Sequence, residues 1–205
     1  MLDSKKFVKL LNKTKISISN DDTRHYLNGI YLHLTEANGR SFLTAVATDS
    51  HRLSSSSLEI NETNDFKSVI LPRKTVYQLC NLLAETSDKL SMSISENKIK
   101  FTLGNIKLIS KVIDGKFPDY KKVVPTNNDK TLLVSTKEFI NSIERVTTVS
   151  IDRKEGVKLL VNKDNLQLSV NSANSGDGNE KIQANFSSEN LNISFNSKYL
   201  IDIAS

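Results

Sequence analysis

Residues 71–83 read Leu-Pro-Arg-Lys-Thr-Val-Tyr-Gln-Leu-Cys-Asn-Leu-Leu, and their spacing sets the pattern for the whole chain. Pro72 suits the start of a helix, where a missing N–H goes unnoticed. Val76, Leu79, Cys80 and Leu83 then fall three and four apart, the stripe of a helix laid against a core. Three other segments have the same form. Phe7, Leu10, Leu11 and Thr14 follow an Asp3-Ser4 cap signal. Phe139, Ile143 and Val146 follow the capping box Ser135-Thr136-Lys137-Glu138. Tyr199, Leu200 and Ile203 follow Asn196. With starts at Ser4, Arg73, Thr136 and Ser197, a unit of roughly 65 residues recurs.

Between the helices lie short alternating or apolar runs bounded by turn residues, which predict strands. After the first helix these are Lys15–Ser19, Gly29–Leu34 and Ser41–Thr48, with Asn38-Gly39 as a hairpin turn. After the second they are Leu90–Ser95, Lys98–Leu103 and Ile106–Ile113. After the third they are Val157–Val161, Leu166–Asn171, Ile182–Phe186 and Leu191–Phe195. The unit is one helix followed by three or four strands, an α+β pattern. One unit cannot bury its own sheet and helix, whereas two side by side make a domain of about 110–130 residues. The expected organisation is a complete domain over residues 1–120, a connector over 121–126 and an incomplete domain over 127–205. A single mixed domain with accidental periodicity is the alternative.

The 205 residues are 38% hydrophobic and 25% charged, enough apolar material for a packed core. Cys80 is the only cysteine and lies on an apolar stripe, so no internal disulfide forms and a buried, inert thiol is expected. No apolar run approaches the roughly 20 residues of a membrane span. The first residues, Met-Leu-Asp-Ser-Lys-Lys, have no signal-peptide core, so the expected address is cytoplasmic, with no membrane partner.

The net charge is +5, and lysines outnumber arginines 22 to 6. On a helical wheel Lys5, Lys6, Lys9 and Lys13 collect opposite the apolar stripe of the first helix. Arg73 and Lys74 occupy the first turn of the second helix, where cations oppose the helix dipole and call for another reason to be there. An anionic partner supplies one. Such a surface would hold phosphates by counterion release, with strong salt dependence and no sequence code.

Signals for catalysis are poor. His25, His33 and His51 have no metal-site spacing, and the seven glycines form no phosphate-binding loop. Asp49-Ser50-His51 is read as no triad, because neighbours on an extended backbone point to opposite faces. Ser172–Glu180 has too few carboxylates for a calcium loop and is expected to be a flexible hairpin tip. No catalytic residue, metal or cofactor is therefore expected, and a binding role is favoured. A stand-alone DNA-binding module and a phosphate-processing enzyme with a basic cleft stay open as alternatives.

Three segments carry a specific resemblance: Thr23-Arg24-His25-Tyr26-Leu27-Asn28-Gly29-Ile30, Ala47-Thr48-Asp49-Ser50-His51-Arg52-Leu53 and Ile113–Pro125. Together with Leu71-Pro72-Arg73-Lys74 and Phe195-Asn196-Ser197-Lys198-Tyr199, they resemble the bacterial DNA polymerase sliding clamp, the beta subunit that confers processivity. The resemblance covers essentially the whole chain and corresponds to the middle domain and most of the last. It implies the sliding-clamp fold, with helices lining the hole of a two-chain ring and sheets outside, and a non-catalytic role around double-stranded DNA. It implies Arg24 and Tyr26, with His25 beside them, as residues of a loop that approaches DNA, alongside the helix cations. It also implies a pocket between the middle and last domains for linear motifs of replicative polymerase and clamp-loader subunits. Its wall would include Leu27, Thr48, Ser50, His51, Arg52 and Leu53, then Pro118, Lys122 and Val123, then Asn196 and Tyr199. Thr148 and Val149 would fall at the homodimer joint. Ser50 stands where the family usually has glycine, and Lys122 where arginine is common.

Overall fold

The computed structural model describes residues 1–61, 66–86, 89–150, 156–172 and 176–205. It divides into two compact units, Met1–Asp119 and Tyr120–Ser205.

The first unit begins with β1 (Leu2–Asp3) and α1 (Ser4–Lys15), followed by a 3-10 turn over Asp22–Leu27. Then come β2 (Gly29–Ala37), β3 (Arg40–Thr48), β4 (Leu53–Ile60) and β5 (Val69–Pro72). The second half repeats the plan with α2 (Arg73–Ala84), β6 (Lys89–Ile94), β7 (Lys98–Leu103) and β8 (Ile106–Lys111). Two antiparallel sheets result, ordered β4-β3-β2-β5 and β1-β6-β7-β8, and a bridge between Ile70 and Ile113 joins them. Asp3 caps α1 by accepting the Lys6 amide at 2.9 Å. At the β2–β3 hairpin both Asn38 (φ 51°) and Gly39 (φ 71°) are left-handed, as a tight two-residue turn requires. Phe7, Leu10 and Leu11 of α1 and Val76, Leu79 and Leu83 of α2 meet Ile30, Leu32, Leu43, Leu90, Ile99 and Phe101 of the two sheets in one core.

The second unit holds β9 (Leu132–Val134), α3 (Thr136–Val146), a 3-10 turn over Thr147–Val149, β10 (Gly156–Val161) and β11 (Asn165–Ser172). It continues through β12 (Gly176–Phe186), β13 (Leu191–Asn196) and α4 (Ser197–Ala204). Its sheet runs β13-β10-β11-β12-β9. The core sets Ile143 and Val146 of α3 against Val157, Leu159, Leu166, Leu168, Val170, Ala184 and Phe186.

The four expected helix starts coincide with the observed ones, and each expected strand but Lys15–Ser19 overlaps an observed one. Lys15–Ser19 is no strand: Lys15 ends α1, and Ser17, Ile18 and Ser19 are buried in succession rather than alternately. Their backbone is satisfied by turn bonds, Ser17 N–H to Thr14 O at 3.1 Å and Ile18 N–H to Lys15 O at 3.3 Å. Strands β1, β4, β5 and β9 were not expected. In β4 the run Ser54-Ser55-Ser56-Ser57 carries no apolar alternation, and its pairing with β3 supplies the order that propensity does not. The expected hairpin tip over Ser172–Glu180 is mostly ladder, since β12 starts at Gly176 and pairs with Ser172. The part over residues 173–175 lies outside the described residues.

Candidate functional site

On α1, Lys5, Lys6, Lys9 and Lys13 are exposed, while Phe7, Leu10, Leu11 and Thr14 are buried. The face opposite the core is thus cationic. Arg73 and Lys74 open α2, whose N-cap, Pro72, makes no side-chain capping bond, and neither helix has an acidic residue in its first turn. Helices α1 and α2 pack on each other. There the Lys15 ammonium lies 5.4 Å from the centroid of the Tyr77 ring, and the Arg73 guanidinium lies 5.6 Å from it. Sequence reasoning missed Lys15 and Tyr77. The available signal was the Arg73–Tyr77 spacing of four, which stacks side chains along a helix.

The 3-10 turn before β2 carries Arg24, His25, Tyr26 and Leu27. Asp21 organises it by accepting the Thr23 amide at 2.9 Å, the Thr23 hydroxyl at 2.6 Å and Arg24 Nε at 2.9 Å. These bonds, from Thr23 first and Arg24 after it, hold the Asp21 carboxyl below its ordinary pKa. His25 meets Tyr26 edge to face, with centroids 5.8 Å apart. Leu27 is buried, and its carbonyl accepts the Ser19 amide at 3.1 Å.

The β3–β4 connection is a tight turn over Thr48–Leu53 held by its own polar groups. Asp49 Oδ1 accepts the amides of His51 and Arg52, each at 3.0 Å, and Asp49 Oδ2 accepts Arg52 Nε at 3.1 Å. The Thr48 hydroxyl accepts the Ser50 amide at 3.1 Å and donates to Arg52 O at 2.7 Å. The segment is therefore not extended. Asp49 is committed to backbone and Arg52 donors, and that commitment, not the side-chain alternation expected from sequence, argues against a triad here. Ser50 has φ 76°.

Three bonds assemble these pieces into one patch of the first unit. Arg24 Nη1 donates to Ser50 Oγ at 2.5 Å, Arg52 Nη2 donates to Ile16 O at 2.5 Å, and the Ser17 and Ser54 hydroxyls are 2.6 Å apart. Residues 16–19, of which Ser17, Ile18 and Ser19 are buried, thus join Leu27 to the turn carrying Thr48, Ser50, His51, Arg52 and Leu53. The segment leading to Pro118 is tied on as well. Phe117 stacks on Tyr31 with centroids 4.9 Å apart and planes 6° apart, and the backbone at Gly115 (φ 136°) runs against Tyr26. Pro118 itself is exposed.

The remaining candidates belong to the second unit. Lys122 and Val123 are exposed in and just after a 3-10 turn over Tyr120–Lys122. Asn196 caps α4 by accepting the Lys198 amide at 3.0 Å, and Tyr199 is half-buried in the first turns of that helix. Thr148 is exposed and donates to Arg145 O at 2.6 Å, whereas Val149 packs against its own unit's core. Cys80 is buried, and burial pushes its thiol above the ordinary value. A protonated, enclosed thiol is a poor nucleophile. Among the described residues no group of three or more His, Cys, Asp and Glu side chains could hold a metal ion, and no helix is long and apolar enough to cross a membrane.

Family models match both units: the central domain of the DNA polymerase III beta subunit over residues 1–119, and its C-terminal domain over residues 121–205. The beta sliding clamp of Caulobacter vibrioides (strain NA1000 / CB15N) is 36% identical over 203 residues, 98% of this chain and 55% of that protein. The beta sliding clamp of Escherichia coli K12 is 33% identical over 195 residues, 95% of this chain and 52% of that protein. Among solved structures, a Bartonella birtlesii sliding clamp bound to griselimycin superposes with a TM-score of 0.94 at 41% identity, covering 99% of this chain and 55% of that one. A C. crescentus beta sliding clamp matches with a TM-score of 0.96 at 35% identity, covering 99% and 54%. The chain spans about half the length of the curated relatives it matches.

Proposed function

This chain belongs to the DNA polymerase III beta-subunit family, the bacterial sliding clamps, and on that premise we propose that it acts as part of a ring around duplex DNA. In that role it confers processivity on a replicative polymerase without catalysing a reaction. Ring closure takes a second chain, and the exposed Thr148 marks the side of the joint this chain supplies. Polymerase and clamp-loader subunits are the partners, docking linear peptides on the first-unit patch of Leu27, Thr48, Ser50, His51, Arg52, Leu53 and Pro118. Leu53, half-buried, and Pro118, exposed, offer apolar surface over the buried Leu27, and beside them the polar turn suits a peptide with an apolar anchor and a hydrogen-bonding backbone. The cytoplasm is the compartment in which such a ring meets chromosomal DNA.

The observation that carries this reading is the cationic face of α1 and α2. Among the described residues, Lys5, Lys6, Lys9, Lys13, Arg73 and Lys74 enter no ion pair, while four arginines elsewhere do. Arg24 and Tyr26 add a second approach to DNA from the 3-10 turn. Enclosure holds the ring, so direct contacts need only be weak, electrostatic and blind to sequence. The test is a salt titration of binding to a fluorescent 30-base-pair duplex by the full chain. Replacing all six helix cations by Gln is expected to abolish binding, or to flatten the slope of log K against log salt by several units. An unchanged slope would remove the helices from the DNA surface.

A further inference from the structure

We propose that Tyr77 is a positioning residue, gathering Lys15 of α1 and Arg73 of α2 into one pair that holds the phosphate backbone of duplex DNA. The proposal rests on the DNA reading above and goes beyond it by naming a device the lysine face alone does not contain. Of the arginines the structure describes, Arg24 pairs with Asp21 at 2.9 Å, Arg40 with Glu59 at 3.5 Å and Arg52 with Asp49 at 3.1 Å, and Arg145 chelates Glu180. Arg73 differs. Its guanidinium sits over an aromatic ring, and among the described residues it enters no ion pair.

The distinction matters because a carboxylate cancels a guanidinium's charge, whereas a ring attracts it through its quadrupole and leaves the charge whole. Lys15 is in the same condition: its ammonium approaches the same ring and donates to the neutral Asn12 Oδ1 at 2.6 Å. Two cations from different helices would repel one another if brought together without a partner. Tyr77 is 40% exposed and on the α2 side of the helix pair, and its ring supplies the attraction that offsets this repulsion. What it presents to solvent is a pre-formed pair of full positive charges. Phosphodiester backbone is the chemistry that fits: dense, repeated single negative charges, held without base contacts.

The test compares Tyr77→Phe, which keeps the ring, with Tyr77→Leu, which removes it, in the same duplex salt titration of the full chain. Tyr77→Phe is expected to match wild type. Tyr77→Leu is expected to weaken binding about three- to tenfold at low salt and to reduce the salt slope by about one unit, as loss of one phosphate contact would. In a Lys15→Gln/Arg73→Gln background, Tyr77→Leu is expected to add nothing, a non-additivity that a merely structural tyrosine would not show. Binding by wild type with an unchanged slope in Tyr77→Leu, or full additivity in the triple variant, overturns the positioning role and leaves the DNA surface standing. Absence of any salt-dependent duplex binding by wild type overturns the DNA reading itself.

Discussion

Two residues in the first unit set opposite demands on the backbone. At Gly29 an added Cβ would lie 2.3 Å from the Leu71 carbonyl oxygen, because β2 and β5 pair there and Asn28 O also accepts the Arg73 amide at 3.0 Å. Gly29→Ala is therefore expected to cost about 2–3 kcal/mol in urea unfolding, as overpacking against fixed backbone does. At Ser50 the demand is for a left-handed residue, since φ is 76° and a side chain there is strained. Ser50→Gly relieves about 1–2 kcal/mol of that strain and gives up one exposed bond to Arg24, so a small net rise in the unfolding midpoint is expected. The serine-for-glycine difference was legible in the sequence against the family's pattern. Its physical reason was not, because a dihedral angle leaves no mark on composition.

At the scale of elements, the helices were readable because their caps and stripes are local: Asp3, Ser135 and Asn196 each accept an amide in the first turn of the helix they precede. The strands missed were those whose order comes from a partner. The run Ser54–Ser57 is a strand because β3 lies beside it, and the short β5 continues directly into α2. The patch around Leu27 was legible only through family resemblance, since its cohesion comes from bonds between segments far apart in sequence, such as Arg52 to Ile16. The segment leading to Pro118 is another such case. Phe117 is buried by stacking on Tyr31, and just upstream the Ile113 amide donates to Ile70 O at 2.9 Å, the bridge between the two sheets. Phe117→Ala is expected to destabilise the first unit by about 3 kcal/mol and to speed hydrogen exchange at the Ile113 amide. Unchanged exchange there would mean that the bridge is held without the aromatic stack.

For the whole molecule, the period of roughly 65 residues maps onto cores in an uneven way. The first unit spends two copies of the repeat on one core, which includes both α1 and α2. In the second unit the fully buried residues come from α3 and β10–β12, with Leu200 and Ile201 of α4 and Leu191 of β13 packed half-buried against them, while Ile193 and Phe195 of β13 are 38% and 42% exposed and Ile203 of α4 is 68% exposed. The second unit's set of fully buried apolar side chains is the smaller of the two, and hydrophobic stabilisation scales with the apolar area removed from water. The second unit is thus expected to open first. Since the cores share no residue, Phe186→Ala, a loss of about 3–5 kcal/mol at a nearly inaccessible site, should act on the second unit alone. Hydrogen exchange read by mass spectrometry is expected to show lost protection across β10–β13, with α1, α2 and β2–β8 unchanged. Equal loss of protection in both units would mean that the chain unfolds as one cooperative body, and the assignment of separate domains on either side of Asp119 would fail.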